Sequence, residues 1–555
     1  MGDIMSHEVS WNAPAPGPWM QDSAHNPVSQ SVVMQDIYPD GFNRGFEEAF
    51  AKYGLLLDRL AMGVVNGFTY HQPQPLDMPG PDGPKDPEWI HDEFVRRTGV
   101  AAAAMEQRLW RDAMRTWDDE MKPAAQRRHR QLATGIADLD DEQLLARVHD
   151  CLDHCRAMVY QHHRFNCDAL VPVGDFMLHA AQWAHRPPQS LFAVLDGYSP
   201  VSSVASPEMQ AALTALRADG SARDLLFGDD EPGAVLAALC ASVPEVAEYV
   251  QEVQFRLLEG FDVVNPTIGE RPESLIGRLQ AALEVDSGTA LVRSDEFAAE
   301  LRAAVPAEHQ AEFDDLLAEA RLVYRLRDER GLYSDVSATG VLRLALLETG
   351  ARLTAAGRLH RPDELLDASA AEIDAIVAGA ASPTADELRQ RGDERVVLTL
   401  AGPPRHLGPP PPAPPPLDML PPPLARVMGA VGFTIEGILG QLDVAEGDGS
   451  TIIGIPGASG VYEGPARLVR SIDDLFLLQD GDVLVAPTTG EAFNSMLHLV
   501  GAIVTDHGSF ASHAAIVSRE MGIPSVVGTI DGTRRIADGK RVRVDGTTGH
   551  VTIIE

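Results

Sequence analysis

Apolar side chains recur three and four positions apart through most of the first 400 residues, which is the period of an amphipathic α-helix. The pattern starts at Gly41 and runs to Leu60, and it returns over 88–130, 139–165, 174–196, 207–218, 232–258, 272–285, 295–304, 307–330, 336–356 and 370–380. No run of alternating apolar and polar positions, the mark of a half-buried strand, precedes about residue 395. We therefore predict a mainly α-helical domain over residues 1–400.

The composition changes after residue 400. Prolines crowd the positions from 403 to 423, and such runs adopt extended polyproline II. A weaker helical pattern follows from Leu424 to about Leu442, and Glu446–Gly449 forms a turn-like break. We interpret residues 401–445 as a semi-rigid linker that ends in a connecting helix.

The last predicted domain, residues 446–555, mixes short strands with helix. Apolar runs typical of strands lie within 451–470 and at 482–486, 502–505, 525–527, 541–544 and 551–554. The final two are expected to pair through a turn at Asp545–Gly546. The predicted fold class is therefore multidomain, with a helical domain followed by a small α/β domain.

The stretch from Thr505 to Pro524 carries the clearest chemical signal. Asp506–Ser509 has turn chemistry after a short buried strand, Ser512 is a good N-cap, and Gly522 fits a helix end. His513 then falls in the first turn of a helix, where backbone N–H groups and the helix dipole favour anions. A histidine there either caps and packs or, being largely neutral and nucleophilic at pH 7, carries a phosphoryl group.

Composition narrows the functional classes. With 45 Lys and Arg against 81 Asp and Glu, the formal net charge of −36 argues against binding to nucleic acid or to an anionic membrane surface. The 4 cysteines do not make a disulfide framework, no apolar run has the length of a membrane span, and the N-terminus lacks a secretory signal. We therefore expect a cytoplasmic protein.

The segment TDHGSFASHAAIVSREMGIPSVVG resembles the phosphohistidine signature of the phosphoenolpyruvate-utilising enzymes. That signature runs roughly T-x-x-G-G-x-T-S-H-A-A-I-x-A-R-E-x-G-I-P-A-V-V-G, and His513 falls on its phosphorylated histidine. Ser509 replaces the second glycine, and Ala511 replaces the hydroxyl residue two positions before the histidine. The resemblance, which extends along the whole C-terminal domain, implies a swivelling domain that carries a phosphoryl group on His513.

The helical region resembles, less specifically, the substrate-binding region of the rifampin-phosphotransferase and phenylphosphate-synthase branches of that family. The resemblance depends on PGPWMQDSAHNP near the N-terminus, VNGFTY at 65–70 and RDER at 327–330. It implies that Arg327 is a catalytic residue facing the incoming phosphohistidine, with Arg343 as a second clamp on the phosphoryl oxygens. An alternative interpretation is that both arginines are ordinary charged residues on paired helices, without a role in catalysis. Asp328 and Glu329 either pair with these arginines or take the proton of the acceptor.

Several histidines and cysteines are weaker candidates. His71 follows a helix break and His179 lies in a helical stretch, and each is either a base at the acceptor site or a packed core histidine. Another group crowds one segment: His149, Cys151, His154, Cys155, His162, His163 and Cys167. Because this group lacks C-x-x-C or H-E-x-x-H spacing, we predict no metal site in the chain.

The sequence contains no recognisable nucleotide-binding motif. It has neither a G-x-x-x-x-G-K-[ST] P-loop nor the glycine-rich hairpin and lysine set of an ATP-grasp domain. The resemblance implies that ATP and Mg²⁺ bind to a separate ATP-grasp subunit, which phosphorylates His513, and that the acceptor is a small phenol. The chain would then be one component of a hetero-oligomeric, dikinase-type phosphotransferase. Two alternatives stay open, namely an antibiotic phosphotransferase of the rifampin type and a non-catalytic regulatory protein that retains the domain.

Overall fold

A computed structural model describes residues 9–23, 25–80, 83–199, 206–284, 288–439, 449–490, 493–494 and 496–554. The chain forms two compact units, each assembled from separated segments. The first unit comprises residues 1–168, 255–265 and 330–428, and the second comprises residues 169–254, 266–329 and 429–555. These units follow spatial contacts rather than chain order, so the predicted boundaries near residues 400 and 445 stay a prediction.

Helices make up most of the chain before residue 440, which confirms the predicted mainly helical region. In chain order they are α1 (Val32–Tyr53), α2 (Pro87–Gln107), α3 (Leu109–Thr116), α4 (Lys122–Ala133), α5 (Asp141–Arg164), α6 (Asn166–Ala184), α7 (Pro207–Ala218), α8 (Gly220–Leu226), α9 (Pro232–Ser242), α10 (Pro244–Val253), α11 (Pro272–Glu284), α12 (Gly288–Ala304), α13 (Gln310–Tyr324), α14 (Leu326–Gly331), α15 (Ser337–Ala355), α16 (Ala370–Val377), α17 (Ala385–Ala401), α18 (Pro422–Leu439), α19 (Ile472–Leu475), α20 (His513–Met521) and α21 (Gly532–Arg535). Two π-helical turns, Trp117–Met121 and Leu332–Val336, lie between helices of this series.

The first unit also contains an antiparallel sheet that the hydrophobic pattern did not predict. Its strands are β1 (Trp19–Gln21), β2 (Leu57–Val65), β3 (Phe68–Pro75) and β4 (His406–Leu407), in the spatial order β2-β3-β1-β4.

The expectations of a helix to Leu60 and of no strand before residue 395 are therefore wrong. Gly54 adopts a left-handed backbone (φ 65°) that ends α1, and β2 begins at Leu57. Asn66 and Gly67, with φ of 50° and 81°, then make the tight turn that joins β2 to β3.

The proline-rich segment starts inside this sheet. Leu407 pairs with Trp19 and His406 with Met20, whereas residues 409–416 are exposed and lie outside helix and strand. Proline has no N–H to donate to a ladder, so the strand cannot continue into this run. The predicted connecting helix is α18, while its predicted end at Leu442 and the break at Glu446–Asp448 lie outside the described residues.

A larger sheet forms the C-terminal part of the second unit, and this α/β domain confirms the predicted fold class. Its strands are β5 (Thr451–Ile453), β6 (Ile455–Ala458), β7 (Val461–Leu468), β8 (Asp482–Ala486), β9 (Val500–Thr505), β10 (Ser525–Val527), β11 (Arg541–Asp545) and β12 (His550–Ile553), in the order β5-β12-β11-β7-β8-β9-β10-β6. Neighbours from β7 to β10 run parallel. Asp545 pairs with His550, so the last turn is longer than the two residues expected.

We expect Gly174 to be essential for helix packing in the second unit. A Cβ at Gly174 of α6 would lie 2.2 Å from the carbonyl oxygen of Ala430 in α18. A backbone atom cannot move aside by changing rotamer, as a side chain can. Gly174→Ala should therefore destabilise the protein by about 1–3 kcal/mol in urea unfolding. Gly99→Ala is the control, because its Cβ meets nothing within 4 Å in α2 and should be neutral or stabilise by up to about 1 kcal/mol. Equal effects of the two changes would contradict this account.

Candidate functional site

His513 is the first residue of α20, and the loop before it follows β9. Ser512 occupies the N-cap position with an extended backbone (φ −72°, ψ 162°), although its side chain makes no capping hydrogen bond. Gly522 ends α20 in the left-handed conformation. The histidine therefore sits at the N-terminal end of a short helix, at the lip of a strand–loop–helix unit.

Thr489 orients the His513 ring. Its Oγ1 lies 3.0 Å from Nδ1 of His513. A hydroxyl that accepts from an Nδ1–H fixes the tautomer in which Nε2 carries the lone pair. Sequence reasoning missed Thr489, which lies in the loop after β8, and β8 is the parallel neighbour of β9. Loops at the carboxyl ends of adjacent parallel strands commonly meet at a site, and that rule could have found it.

The two departures from the family signature have structural explanations. Gly508 has the positive φ of 108° that favours glycine, whereas Ser509 is not among the residues with positive φ and is fully buried. Ala511 lies against α18, where its N–H donates to the Gly437 carbonyl at 3.1 Å. A Cβ on Gly437 would come within 3.4 Å of the Ala511 Cβ, so a small side chain suits this contact.

Arg519 connects the histidine loop to two other parts of the second unit. Its Nη1 donates to the carbonyl oxygens of Phe510 at 2.8 Å and of Gly457 at 3.2 Å. Its Nε donates to Asp196 Oδ1 at 3.3 Å, and both side chains are largely buried. Burial raises the pKa of Asp196, and the Arg519 charge opposes that rise. Sequence reasoning did not identify this role of Arg519.

Residues 196–199 form a docking segment that contacts both α20 and α14. The Gly197 N–H donates to Glu520 Oε1 at 3.1 Å, and Ser199 Oγ donates to Asp328 Oδ2 at 2.6 Å. Arg293 of α12 donates to the Glu520 carbonyl oxygen at the end of α20. Burial raises the pKa of the Glu520 carboxyl to about 7. The docking segment therefore contacts α20 at its C-terminal end, about 9–11 Å along the axis from His513.

The predicted residues Arg327, Asp328 and Glu329 lie in α14. Arg327 Nη2 is 3.9 Å from Asp328 Oδ1, and its Nη1 is buried without a hydrogen-bond partner among the described residues. Glu329 accepts a hydrogen bond at 2.9 Å from Arg325, an arginine that the sequence analysis did not name as its partner. Burial raises the pKa of Tyr324 although the Arg327 and Arg519 charges oppose it, so both guanidinium groups lie near this phenol.

Arg343 and His71 belong to the first unit. Arg343 donates through Nη1 to the carbonyl oxygens of Val263 and Val264, at 2.7 and 3.2 Å. His71, on β3, has Nε2 3.4 Å from Asp22 Oδ2, and its ring stacks on Phe42 with centroids 4.8 Å apart. Burial lowers the pKa of His71, while the Asp22 charge opposes the change. The functional roles predicted for both residues stay predictions.

Three of the other candidate histidines have defined surroundings. His179 contacts its own helix, with Nδ1 2.8 Å from the Asp175 carbonyl oxygen. His162 and His163 lie with Asp335 in the first unit, and one potential ligand atom of each falls within 4.8 Å of the others. None of the cysteines belongs to this group, and all four are free.

Residues 478–549, which include Thr489 and His513, match the family model of the PEP-utilising enzyme, mobile domain. This part of the chain is therefore similar to the mobile domain of the phosphoenolpyruvate-utilising enzymes.

The chain is also similar to larger proteins whose names identify them as phosphotransferases. It is 27% identical over 322 residues to a rifampicin phosphotransferase of Streptomyces sviceus, which covers 56% of this chain and 34% of that protein. It is 41% identical over 103 residues to the uncharacterized phosphotransferase YvkC of Bacillus subtilis, covering 19% of this chain and 12% of that protein.

A third relative is chondramide synthase cmdD of Chondromyces crocatus. The identity is 33% over 308 residues, which covers 52% of this chain and 8% of that protein. The chain therefore spans about a third or less of the length of these relatives. None of the helices in the described part of the chain is long and apolar enough to cross a membrane.

We expect Glu520 to make stability fall as pH rises. Folding raises the Glu520 pKa from 4.5 to about 7, so between these values the folded chain binds more protons than the unfolded chain. The contribution of this group should therefore decline with rising pH, by at most about 1.4 kcal/mol per pH unit. Glu520→Gln keeps an oxygen for the Gly197 N–H and should flatten this part of the profile in urea unfolding at pH 5, 6 and 7.

The control is Glu300→Gln, which changes an exposed glutamate of α12 in the same unit. Its pH profile should match that of the unmodified protein. An unchanged slope in Glu520→Gln would show that the Glu520 carboxyl is not buried in the folded protein.

Proposed function

We propose that this chain carries a phosphoryl group on Nε2 of His513 and delivers it to the hydroxyl of a small organic acceptor. The observation that supports this most directly is the position of His513, in the first turn of α20 in a mobile domain, with Nδ1 3.0 Å from Thr489 Oγ1. A neutral imidazole held in this way presents its lone pair at Nε2 and has the helix N-terminus beside it for the anion.

The transfer takes place in two steps. In loading, the Nε2 lone pair forms an N–P bond as the P–O bond of the donor breaks, and the donor oxygen leaves with the electron pair. In unloading, the acceptor oxygen forms a P–O bond, the N–P electrons return to the imidazole, and the acceptor proton passes to a base. Positioning and charge stabilisation dominate such transfers, so the protein needs mainly to hold the reactants.

The donor is ATP with Mg²⁺, bound by an ATP-grasp subunit outside these 555 residues. This part of the proposal is supported by the absence of a recognisable nucleotide motif in the sequence. The mobile domain supports it too, because a carrier that moves permits donor and acceptor sites to lie apart.

Arg327 is the residue we assign to the phosphoryl oxygens during unloading. Its Nη1 is buried without a partner in the described part of the chain, and a guanidinium fork fits the oxygens of a phosphoryl group. The neighbouring Asp328 carboxylate accepts a hydrogen bond from Ser199 Oγ, and its distance of 3.9 Å from Arg327 Nη2 leaves the guanidinium as a donor for the phosphoryl group.

The acceptor we propose is a phenol or alkylphenol. A phenol loses its proton near pH ~10, so a nearby base needs to give only modest help. A rifamycin is the second candidate, and the similarity to a rifampicin phosphotransferase favours it. The alignment with that relative covers 322 residues and so extends well beyond the mobile domain.

We expect His513→Ala to abolish loading. The unmodified protein, incubated with labelled ATP, Mg²⁺ and an ATP-grasp subunit, should gain an acid-labile label that mass spectrometry assigns to His513. Phosphoramidate, which phosphorylates imidazole directly, serves as a donor that needs no partner. His498→Asn, an exposed histidine of the same domain, should load like the unmodified protein.

Persistent acid-labile label in His513→Ala would overturn the carrier assignment. Failure of the unmodified protein to load from either donor would favour the non-catalytic regulatory protein. Unloading to phenol or 4-methylphenol but not to rifampicin would support the phenol proposal, and the reverse would support the antibiotic candidate.

We expect Arg327→Met to separate unloading from loading. With the phosphoryl oxygens less well stabilised, unloading of pre-phosphorylated protein should slow about 100-fold, while loading from phosphoramidate stays within about twofold. Arg302→Met removes an exposed arginine of the same unit and should leave both rates unchanged. Equal rates of unloading in the Arg327 and Arg302 variants would rule out the clamp.

A further inference from the structure

Two imidazoles and one carboxylate meet in the core of the first unit. His162 and His163 are consecutive near the end of α5, and Asp335 lies in the π-helical turn Leu332–Val336. Each residue offers one ligand atom, and these atoms all lie within 4.8 Å of one another. The three residues are 8%, 6% and 0% exposed. None of them has a part in the phosphoryl transfer proposed above.

His163 contains a buried nitrogen that the folded chain leaves unsatisfied. Nδ1 lies 3.3 Å from Asn166 Nδ2, whereas Nε2 has no hydrogen-bond partner among the described residues. Buried polar atoms are nearly always paired, because an unpaired one loses its water without compensation. The unpartnered Nε2 therefore points to a ligand.

Asp335 is a buried carboxylate without a cationic side chain bonded to it. Its Oδ2 accepts from Tyr38 OH at 3.2 Å and lies 2.8 Å from His162 Nδ1, and its Oδ1 accepts from the Val336 N–H at 3.1 Å. Within the described residues no lysine or arginine forms an ion pair with it. The guanidinium of Arg330 instead donates to the His162 carbonyl and to Asn166 Oδ1. A buried carboxylate without an ion-pair partner is costly even when it is hydrogen-bonded, and metal coordination is one of the arrangements that relieve the cost.

We propose that His162, His163 and Asp335 bind one divalent transition-metal ion, of which Zn²⁺ is the representative. The ion would give His163 Nε2 a partner and Asp335 a counter-charge at the same time. Imidazole nitrogens with a carboxylate oxygen suit Zn²⁺, and three protein ligands leave a position for water or a substrate oxygen. This site revises the expectation, drawn from motif spacing alone, that the chain binds no metal.

Binding requires only side-chain movement. Zn²⁺ lies about 2.0–2.2 Å from such ligand atoms, so two of them around one ion are at most about 4.4 Å apart. The two histidine rings stack with centroids 4.4 Å apart and an interplanar angle of 11°, so they must rotate to direct both lone pairs at one ion. Coordination through Nε2 leaves the His163 proton on Nδ1, so the ring must also turn away from the Asn166 amide nitrogen that now faces Nδ1. Tyr38 OH, which donates to Asp335 Oδ2, steadies the carboxylate.

The position in a π-helical turn agrees with this assignment. Such turns are rare and frequently occur at functional sites, because the extra residue redirects a side chain. In this protein the extra residue of the π-helix lies within Leu332–Val336, the five-residue turn that contains Asp335.

The proposal is tested with Zn²⁺ and the full-length chain. After treatment with a chelator, the protein is equilibrated with Zn²⁺, dialysed, and its metal content and affinity are measured. We expect about one ion per chain. Asp335→Asn and His163→Gln, which keep the size of the side chain, should each weaken binding about 10-fold or more. His149→Gln, an exposed histidine of the same helix, should bind like the unmodified protein.

Absence of a bound ion in the unmodified protein, or unchanged affinity in both Asp335→Asn and His163→Gln, would overturn the proposal. Circular dichroism checks that the variants are folded. If they are not, the Co²⁺ spectrum of the unmodified protein decides the question. Ligand-field bands without thiolate charge transfer would support the histidine and aspartate ligands, whereas a thiolate band would assign the ion to the cysteines of α5 and α6 and reject this site.

Discussion

The geometry of the histidine loop before α20 depends on one guanidinium group. Arg519 donates to carbonyl oxygens of the histidine loop and of strand β6 and, through Nε, to Asp196. A guanidinium donates in fixed, coplanar directions, so these partners are satisfied together in a single arrangement, which the rotating ammonium of a lysine would not specify. Phe192 and Phe510 pack beside it with centroids 5.3 Å apart. A residue six positions after His513 thus determines the path of the chain before it.

Hydrophobic periodicity along the chain predicted the elements that are determined by neighbouring residues. The strands of the C-terminal domain and most helices follow from periodicity, whereas the start of β2 was mistaken for helix because Leu56, Leu57 and Leu60 continue the helical spacing. The turn pair Asn66–Gly67 was the overriding signal, since both residues adopt positive φ. Helix α17 was also missed, although Thr384 and Glu387 form a readable capping box. The two-residue strand β4, within a proline run, has no sequence signature at all.

The candidate site also contains residues that the sequence could identify and contacts that it could not. His513 was identifiable because its motif is contiguous, and its position in the helix follows from neighbouring residues. The contact between Arg519 and Asp196 joins positions 323 residues apart, and no single-sequence pattern encodes it. The same applies to Asp335 and His162, which lie 173 residues apart. Spacing rules for metal ligands assume neighbours along the chain, and they fail where two distant helices each contribute.

The π-helical turn makes the meeting of Asp335 with the two histidines depend on the number of residues in one helix. A π-helical turn holds one residue more than an α-helical one, and each residue turns an α-helix by about 100°. Loss of a single codon from Leu332–Val336 would restore regular helix and carry the carboxylate to another face. In evolutionary terms, one insertion or deletion suffices to create or erase this cluster, without any change to His513.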